Sequence, residues 1–171
     1  INASLLPNQA IVQLIEDISF NEALLYNERL LAVRLDNKQF DRLINNEPIE
    51  NLKGSDLNGQ PNVEMILQLW DIFQKNGHQI AVDFKLLTSG RKSNPVSQTN
   101  TIIGSGDIFI EDGAVVEAAM INAKSGPVYI GRHAEVMEGC MIRGPFALGH
   151  HSTLKMGAKI YEETTIGPFC K

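Results

Sequence analysis

The sequence predicts a chain of two parts: an α/β region over residues 1–95, then a parallel β-helix of hexapeptide repeats over 101–171. Three observations carry this reading. From Ile130 an aliphatic residue recurs at every sixth position: Ile130, Val136, Ile142, Leu148, Leu154, Ile160 and Ile166. In the first 90 residues the apolar positions follow helical or alternating spacing instead. Between the two parts lies a polar stretch, SGRKSNPVSQTN at 89–100, with the composition of a domain boundary.

A period of six is neither the helical 3.6 nor the strand 2.0. It assigns one short strand and one turn to each hexad, and three hexads close a coil of about 18 residues. Coils stack at about the inter-strand spacing of 4.8 Å. Residues 18 apart then lie above one another, which predicts three ladders: Ile130–Leu148–Ile166, Val136–Leu154 and Ile142–Ile160. Four positions after each aliphatic residue sits a small one, at Ala134, Cys140, Ser152, Ala158, Thr164 and Cys170, with Phe146 the bulky exception. Both kinds of side chain point inward, and the small one leaves room at the corner. Gly131, Gly149 and Gly167 follow the aliphatic residue and are expected to serve turns. No coil buries its own core, so stability comes from stacked neighbours.

The elements before the repeat follow in order. INASLLP at 1–7 reads as the tail of a strand running into a loop. Ile11, Val12, Leu14, Ile15 and Ile18 have amphipathic helical spacing, with Asn8 as the cap. EALLY and LLAVRL, separated by Asn27, Glu28 and Arg29, read as a β-hairpin. Asp36 caps a further helix, NKQFDRLINN. Residues 46–62, with Pro48, Gly54, Gly59 and Pro61, read as loop or short irregular strand. Met65, Ile66, Leu69, Trp70, Ile72 and Phe73 have helical spacing, and the apolar content continues to Leu87. This predicts helix over 62–87, with Trp70 and Phe73 as core anchors, Gly77 a weak point and His78 in solvent. The β-helix is expected to begin irregularly near Ile102. Ile110 and Val116 fit hexads, but the later register starts at Ile130, so two residues are inserted, at Ser125 to Pro127.

Composition narrows the function classes. The chain has 171 residues, a net charge of −5 and no basic stripe, so nucleic acid is not an expected partner. No apolar run has the length of a membrane span. The two cysteines, Cys140 and Cys170, both take the small inward position and are 30 residues apart, on different faces. They read as reduced core residues, which fits a cytoplasmic protein.

Chemistry-bearing residues are few. There is no phosphate-cradling glycine loop, nucleophile elbow or zinc motif. His133 and His151 are 18 apart and stack, with His150 adjacent. Stacked histidines of this kind resemble the metal site of carbonic anhydrases of the β-helix fold, but a zinc site needs three ligands, and none is expected here. Among the basic residues of the coils, Arg143 and Lys155 hold the same place in their hexads. Being twelve residues apart, they lie on different faces of one protomer and converge on a phosphate only across subunits.

The hexad pattern resembles the left-handed β-helix of hexapeptide acyltransferases, and the left hand comes from that resemblance alone. A more specific likeness rests on INASLLP at 1–7, WDIFQKNG at 70–77, and GPVYIGRHAEVMEGCMIRGPFALGHHSTLKMGAKIYEETTIGP at 126–168. Over most of its length the chain resembles Bacteroidetes-type sugar-1-phosphate nucleotidyltransferases, often labelled glucose-1-phosphate thymidylyltransferases. These are related to the bifunctional enzyme that makes UDP-N-acetylglucosamine by uridylyl and acetyl transfer. The resemblance implies a nucleotidyltransferase-like α/β domain joined to a left-handed β-helix. It also implies sugar phosphate and nucleoside triphosphate as substrates, Mg²⁺, acetyl-CoA where acetyl transfer is retained, and a homotrimer. Lys155 in LKMGA stands where the bifunctional enzyme has a sugar-phosphate-binding arginine, so Lys155 and Arg143 are the candidate substrate-binding residues. The glycine- and arginine-rich nucleotide-binding segment is absent, and so are the later acetyltransferase coils. The chain therefore reads as an internal fragment without nucleotidyl transfer activity of its own. The competing readings are a non-catalytic trimerising scaffold and an acetyltransferase acting on an amino-sugar phosphate.

Overall fold

The computed structural model describes residues 1–58, 63–104 and 107–171. It divides into two compact units, Ile1–Leu69 and Trp70–Lys171.

The first unit is α/β. Strand β1 (Leu5–Leu6) leads into helix α1 (Gln9–Glu16), whose first turn is closed by the Asn8 side chain accepting from Ile11 N at 3.0 Å. Strands β2 (Glu22–Tyr26) and β3 (Arg29–Arg34) form the expected hairpin. Asn27 and Glu28 both take positive φ, as a two-residue turn matched to strand twist requires. Helix α2 (Asn37–Ile44) starts at a full capping box: Asp36 accepts from Gln39 N, and the Gln39 side chain accepts from Asp36 N. Strand β4 (Lys53–Asp56) adds parallel to β2, so the sheet order is β3-β2-β4. The core gathers Leu5, Ile11, Ile18, Leu31 and Met65 from four segments.

The helix expected over 62–87 is corrected in its first part. Asn62, with residues 59–61 of the expected loop, lies outside the described residues. Strand β5 (Glu64–Met65) pairs antiparallel with β1, setting Met65 opposite Leu5. Burying both side chains in that ladder outweighs a helical spacing that spans barely two turns.

The second unit opens with a one-turn helix α3 (Asp71–Gln74) and helix α4 (Asn76–Thr88). Trp70 and Phe73 do not anchor a core: they are 52% and 65% exposed. A single turn cannot bury a stripe, and the packing face belongs to α4, through Ile80 and Phe84. Gly77 does not break α4. A Cβ there would lie 2.5 Å from Glu163 Cγ, so glycine is what allows the helix this close to the solenoid. Asn76 ties the same end down, donating to the Glu163 carbonyl at 2.6 Å and accepting from Thr165 Oγ1 at 2.9 Å.

The remainder is a parallel β-solenoid, made of β6 (Thr101–Ile103), β7 (Ile108–Ile110), β8 (Val115–Val116), β9 (Met120–Asn122), β10 (Val128–Ile130), β11 (Glu135–Val136), β12 (Met141–Arg143), β13 (Phe146–Leu148), β14 (Thr153–Leu154), β15 (Lys159–Ile160) and β16 (Thr164–Ile166). Its three sheets run β7-β10-β13-β16, β8-β11-β14 and β6-β9-β12-β15. The predicted ladders are all present: Ile130↔Leu148↔Ile166, Val136↔Leu154 and Ile142↔Ile160. Val128, Ile130, Ile142, Phe146 and Leu148 are fully buried, and each such side chain contributes about 1.5–3 kcal/mol relative to exposure.

The irregular early coil is sharper than the sequence suggests. Ile110 pairs with Ile130 and Val116 with Val136, so the net insertion is two residues. It is not a simple insertion at Ser125–Pro127. Ile121, not residue 122, points inward and pairs with Ile142. The step from Val116 to Ile121 is one residue shorter than a hexad, and the following step to Ile130 is three residues longer.

Two small-residue expectations change. Cys140 is buried, with its thiol 3.1 Å from the Lys155 carbonyl, but Cys170 is exposed, because no described coil stacks over its corner. Gly131 serves close stacking instead of the turn itself: a Cβ there would lie 2.7 Å from His150 N, and the positive-φ corner falls on His133, His151 and Phe169. The polar stretch 89–100 closes the first coil's open edge. Ser93 Oγ accepts from Ile110 N at 2.9 Å, Asn94 N donates to Ile110 O at 2.9 Å, and Asn100 bridges Val116 O and Ala119 N. Such side-chain capping is what a solenoid end needs.

Candidate functional site

The stacking rule places every chemistry-bearing side chain of the solenoid. At one corner, successive coils set His133 under His151, with ring centroids 5.0 Å apart, as expected from their spacing. Phe169 takes the next place, its ring parallel to that of His151 at 5.2 Å, and His150 meets Phe169 edge-on at 4.9 Å. The result is an aromatic stack. Among the described residues no group of three or more His, Cys, Asp or Glu side chains is arranged to hold a metal.

Lys155 is exposed just after β14. Arg143 ends β12 on another sheet and is ion-paired to Glu162 at 3.5 Å, with both side chains substantially exposed. The protomer does not bring the two together.

What it does bring together is a constellation that sequence reading missed. Glu111 follows β7 at the hexad position held by Gly131, Gly149 and Gly167 in later coils. Although acidic, it is only 6% exposed. Arg91 Nη2 donates to Glu111 Oε2 at 2.6 Å, and the Tyr129 hydroxyl donates to Oε1 at 2.7 Å. Arg91 Nη1 also donates to the Leu87 carbonyl at the end of α4, and the guanidinium lies over the Phe109 ring at 5.1 Å. The Arg91 bond holds the Glu111 carboxyl below its ordinary range against the opposing effect of burial, with smaller help from Tyr129 and Arg132. Burial first, then the Glu111 carboxylate, push the Tyr129 phenol up to about 12. Around this knot lies a depression of about 680 Å³, lined also by Arg132, His150 and His151. Tyr129 and Gly149 are shared with a second, mainly apolar hollow of about 300 Å³ between α4 and the β7-β10-β13-β16 sheet. The available signal was an acid at a glycine position of the repeat. Its partner, twenty residues upstream in an apparent linker, gave none.

A second carboxylate is held in a similar way. Glu117 accepts from Thr99 Oγ1 and from Ser97 Oγ, and these bonds lower its carboxyl, Thr99 foremost. Both donors belong to the cap of the first coil, so this contact is architectural.

A protein-family model described as "Sugar nucleotidyl transferase" matches residues 1–92. Neither the curated proteins nor the solved structures contain a match to this chain. The matched span takes in the whole first unit, α3 and α4, and ends beside Arg91.

Proposed function

Because this chain belongs to the sugar nucleotidyl transferase family, we propose that it is part of an enzyme of sugar-nucleotide biosynthesis. On this reading residues 1–95 are the last part of the nucleotidyltransferase-like domain and 101–171 are an acyltransferase-like left-handed β-helix. The observation that supports it is the joining, in one chain, of a family match over 1–92 to a hexapeptide solenoid. The reaction is attack of a sugar-1-phosphate oxygen on the α-phosphorus of a nucleoside triphosphate, with pyrophosphate leaving in line. The resemblance to Bacteroidetes-type enzymes related to the bifunctional UDP-N-acetylglucosamine-forming enzyme is the finer form of the proposal. It adds a cytoplasmic location and, where acetyl transfer is retained, an amino-sugar phosphate substrate.

Mg²⁺ would screen the phosphates in such an enzyme. The described residues offer it no suitable ligand cluster, and no step is assigned to a metal held by this stretch. Acetyl-CoA fares similarly: Lys155 is exposed on one corner, and Arg143, on another sheet, is tied to Glu162. Lys155 and Arg143 are proposed as sugar-phosphate contacts completed by a neighbouring subunit.

The decisive experiment measures pyrophosphate release from sugar-1-phosphates and nucleoside triphosphates. The longer protein is expected to release it, and this chain alone is not. Release by this chain would overturn the fragment reading, and a silent longer protein would overturn the activity. A scaffold reading, in which the solenoid only trimerises the protein, is favoured by outward apolar side chains: Met120 pairs with Met141 across β9 and β12, and both are substantially exposed. Mass by light scattering tests the trimer, and acetyl-CoA binding to the longer protein with and without Lys155→Ala separates scaffold from acetyltransferase.

A further inference from the structure

The outward ladder of the β7-β10-β13-β16 sheet changes character part way along. It runs Phe109, Tyr129, Ala147, Thr165. The first two rings stack at 6.1 Å with 11° between their planes. At Ala147 the ladder drops to a methyl group, and the space a third ring would fill stays open beneath α4. Ile80 and Phe84 roof this hollow, and Leu148, Ile166 and Pro168 contribute to its lining. Its polar side chains are spent on one another. Gln79 Nε2 donates to Asp83 at 2.8 Å, and Asn76 is paired with the Glu163 carbonyl and Thr165. What the hollow offers a ligand is therefore apolar surface.

The adjoining depression is of opposite character. Its carboxylate, Glu111, is ion-paired with Arg91 and accepts from the Tyr129 hydroxyl. The Arg132 side chain is exposed and, among the described residues, has no hydrogen bond or ion pair of its own, its carbonyl alone accepting from His151 N at 2.9 Å, while His150 adds an imidazole in the same coil corner. Asp112 sits one coil below Arg132 and is engaged by Asn94 Nδ2 at 3.3 Å. Tyr129 and Gly149 line both spaces, so hollow and depression adjoin each other.

We propose that these two adjoining spaces together bind a small amphiphilic anion, with its apolar body between α4 and Ala147 and its charged head on Arg132 and His150. The size of the hollow, about 300 Å³, lies at the lower end of small-molecule sites, and its apolar lining with a few polar groups at one end is their usual construction. The site lies wholly within the second unit and does not depend on the sugar-nucleotide reading.

The test uses octanoate, octanol and inorganic phosphate with the chain as it stands, following the methyl resonances of Ala147 and Ile80 by NMR. Octanoate is expected to shift both in a saturable way, and octanol and phosphate to bind at least about tenfold more weakly, the scale of one charge-assisted hydrogen bond. Arg132→Gln, a surface change that leaves the core intact, is expected to weaken octanoate by about tenfold. Ala147→Phe is expected to abolish binding by filling the hollow. Equal binding of octanol or of phosphate, or octanoate binding unaffected by Arg132→Gln, overturns the proposal. So does octanoate binding that leaves the Ala147 methyl unshifted, a readout that does not require the Ala147→Phe protein to fold.

Discussion

The Tyr129 hydroxyl donates to Glu111 Oε1 at 2.7 Å, so a phenol one coil up holds a carboxylate that stands where later coils carry glycine. Arg91 completes the contact and fastens the end of α4 to the first coil.

This contact sets a pH signature. Burial and the Glu111 carboxylate push the Tyr129 phenol in the folded protein up to about 12, above its unfolded value of about 10. The stability it contributes is full below about pH 10 and is lost as pH rises toward 12. Glu111 has the opposite sign. Its carboxyl is lowered, so its contribution is present above the ordinary carboxylate range and is lost as pH falls through the lowered value. Tyr129 is expected to ionise late in an ultraviolet titration, and Tyr129→Phe is expected to remove that late step.

Leu148 is fully buried in the middle of its ladder. Leu148→Ala is expected to cost about 2–5 kcal/mol, read from the denaturant midpoint. Lys155→Ala, on an exposed corner, is expected to change stability by less than about 0.5 kcal/mol. Any loss of function on removing Lys155 is then separable from loss of fold.

Gly131→Ala puts a methyl group 2.7 Å from His150 N and 2.8 Å from Leu148 O, both backbone atoms that cannot swing aside. Its φ does not demand glycine, so any destabilisation reports coil-to-coil approach alone. A lowered melting temperature is expected, and an unchanged one would mean that the coils can part at that corner.

Trp70 is the only tryptophan and is about half exposed, beside exposed Ile72 and Phe73. Its emission is expected to be red-shifted and readily quenched by iodide. A blue-shifted, protected emission would show that another surface covers this patch in solution.

Replacing Asp36 by alanine removes the acceptor of Gln39 N in the α2 capping box. The expected cost is about 0.5–2 kcal/mol, seen first as faster amide exchange in the first turn of α2.

The readable parts of this chain were those governed by local or periodic rules. Asn8 and Asp36 announced helix starts because a cap acts within three residues, and the ladders followed from a six-residue spacing shared by seven aliphatic positions. Elements fixed by distant partners were not readable. Glu64 and Met65 are a strand only because Leu5 and Leu6 lie beside them. Trp70 and Phe73 look like core in a helical projection, but the one turn they belong to buries nothing. The Glu111 contact joins residues from the polar stretch, one coil and the next, and no single window of sequence holds all three.

The nearly constant spacing between paired strands also shapes how the second unit assembles. Each strand meets a partner 18 to 21 residues away, so every new coil closes a loop of nearly the same length. The entropic cost of adding a coil is then almost uniform along the axis. Nearest-neighbour addition, in the manner of a zipper, is then the expected route of growth, with no single long-range closure to dominate the rate. Helix α4, bonded at one end to the coil of Glu163 and reaching that of Glu111 through Arg91, is the element that couples the first rung to the last.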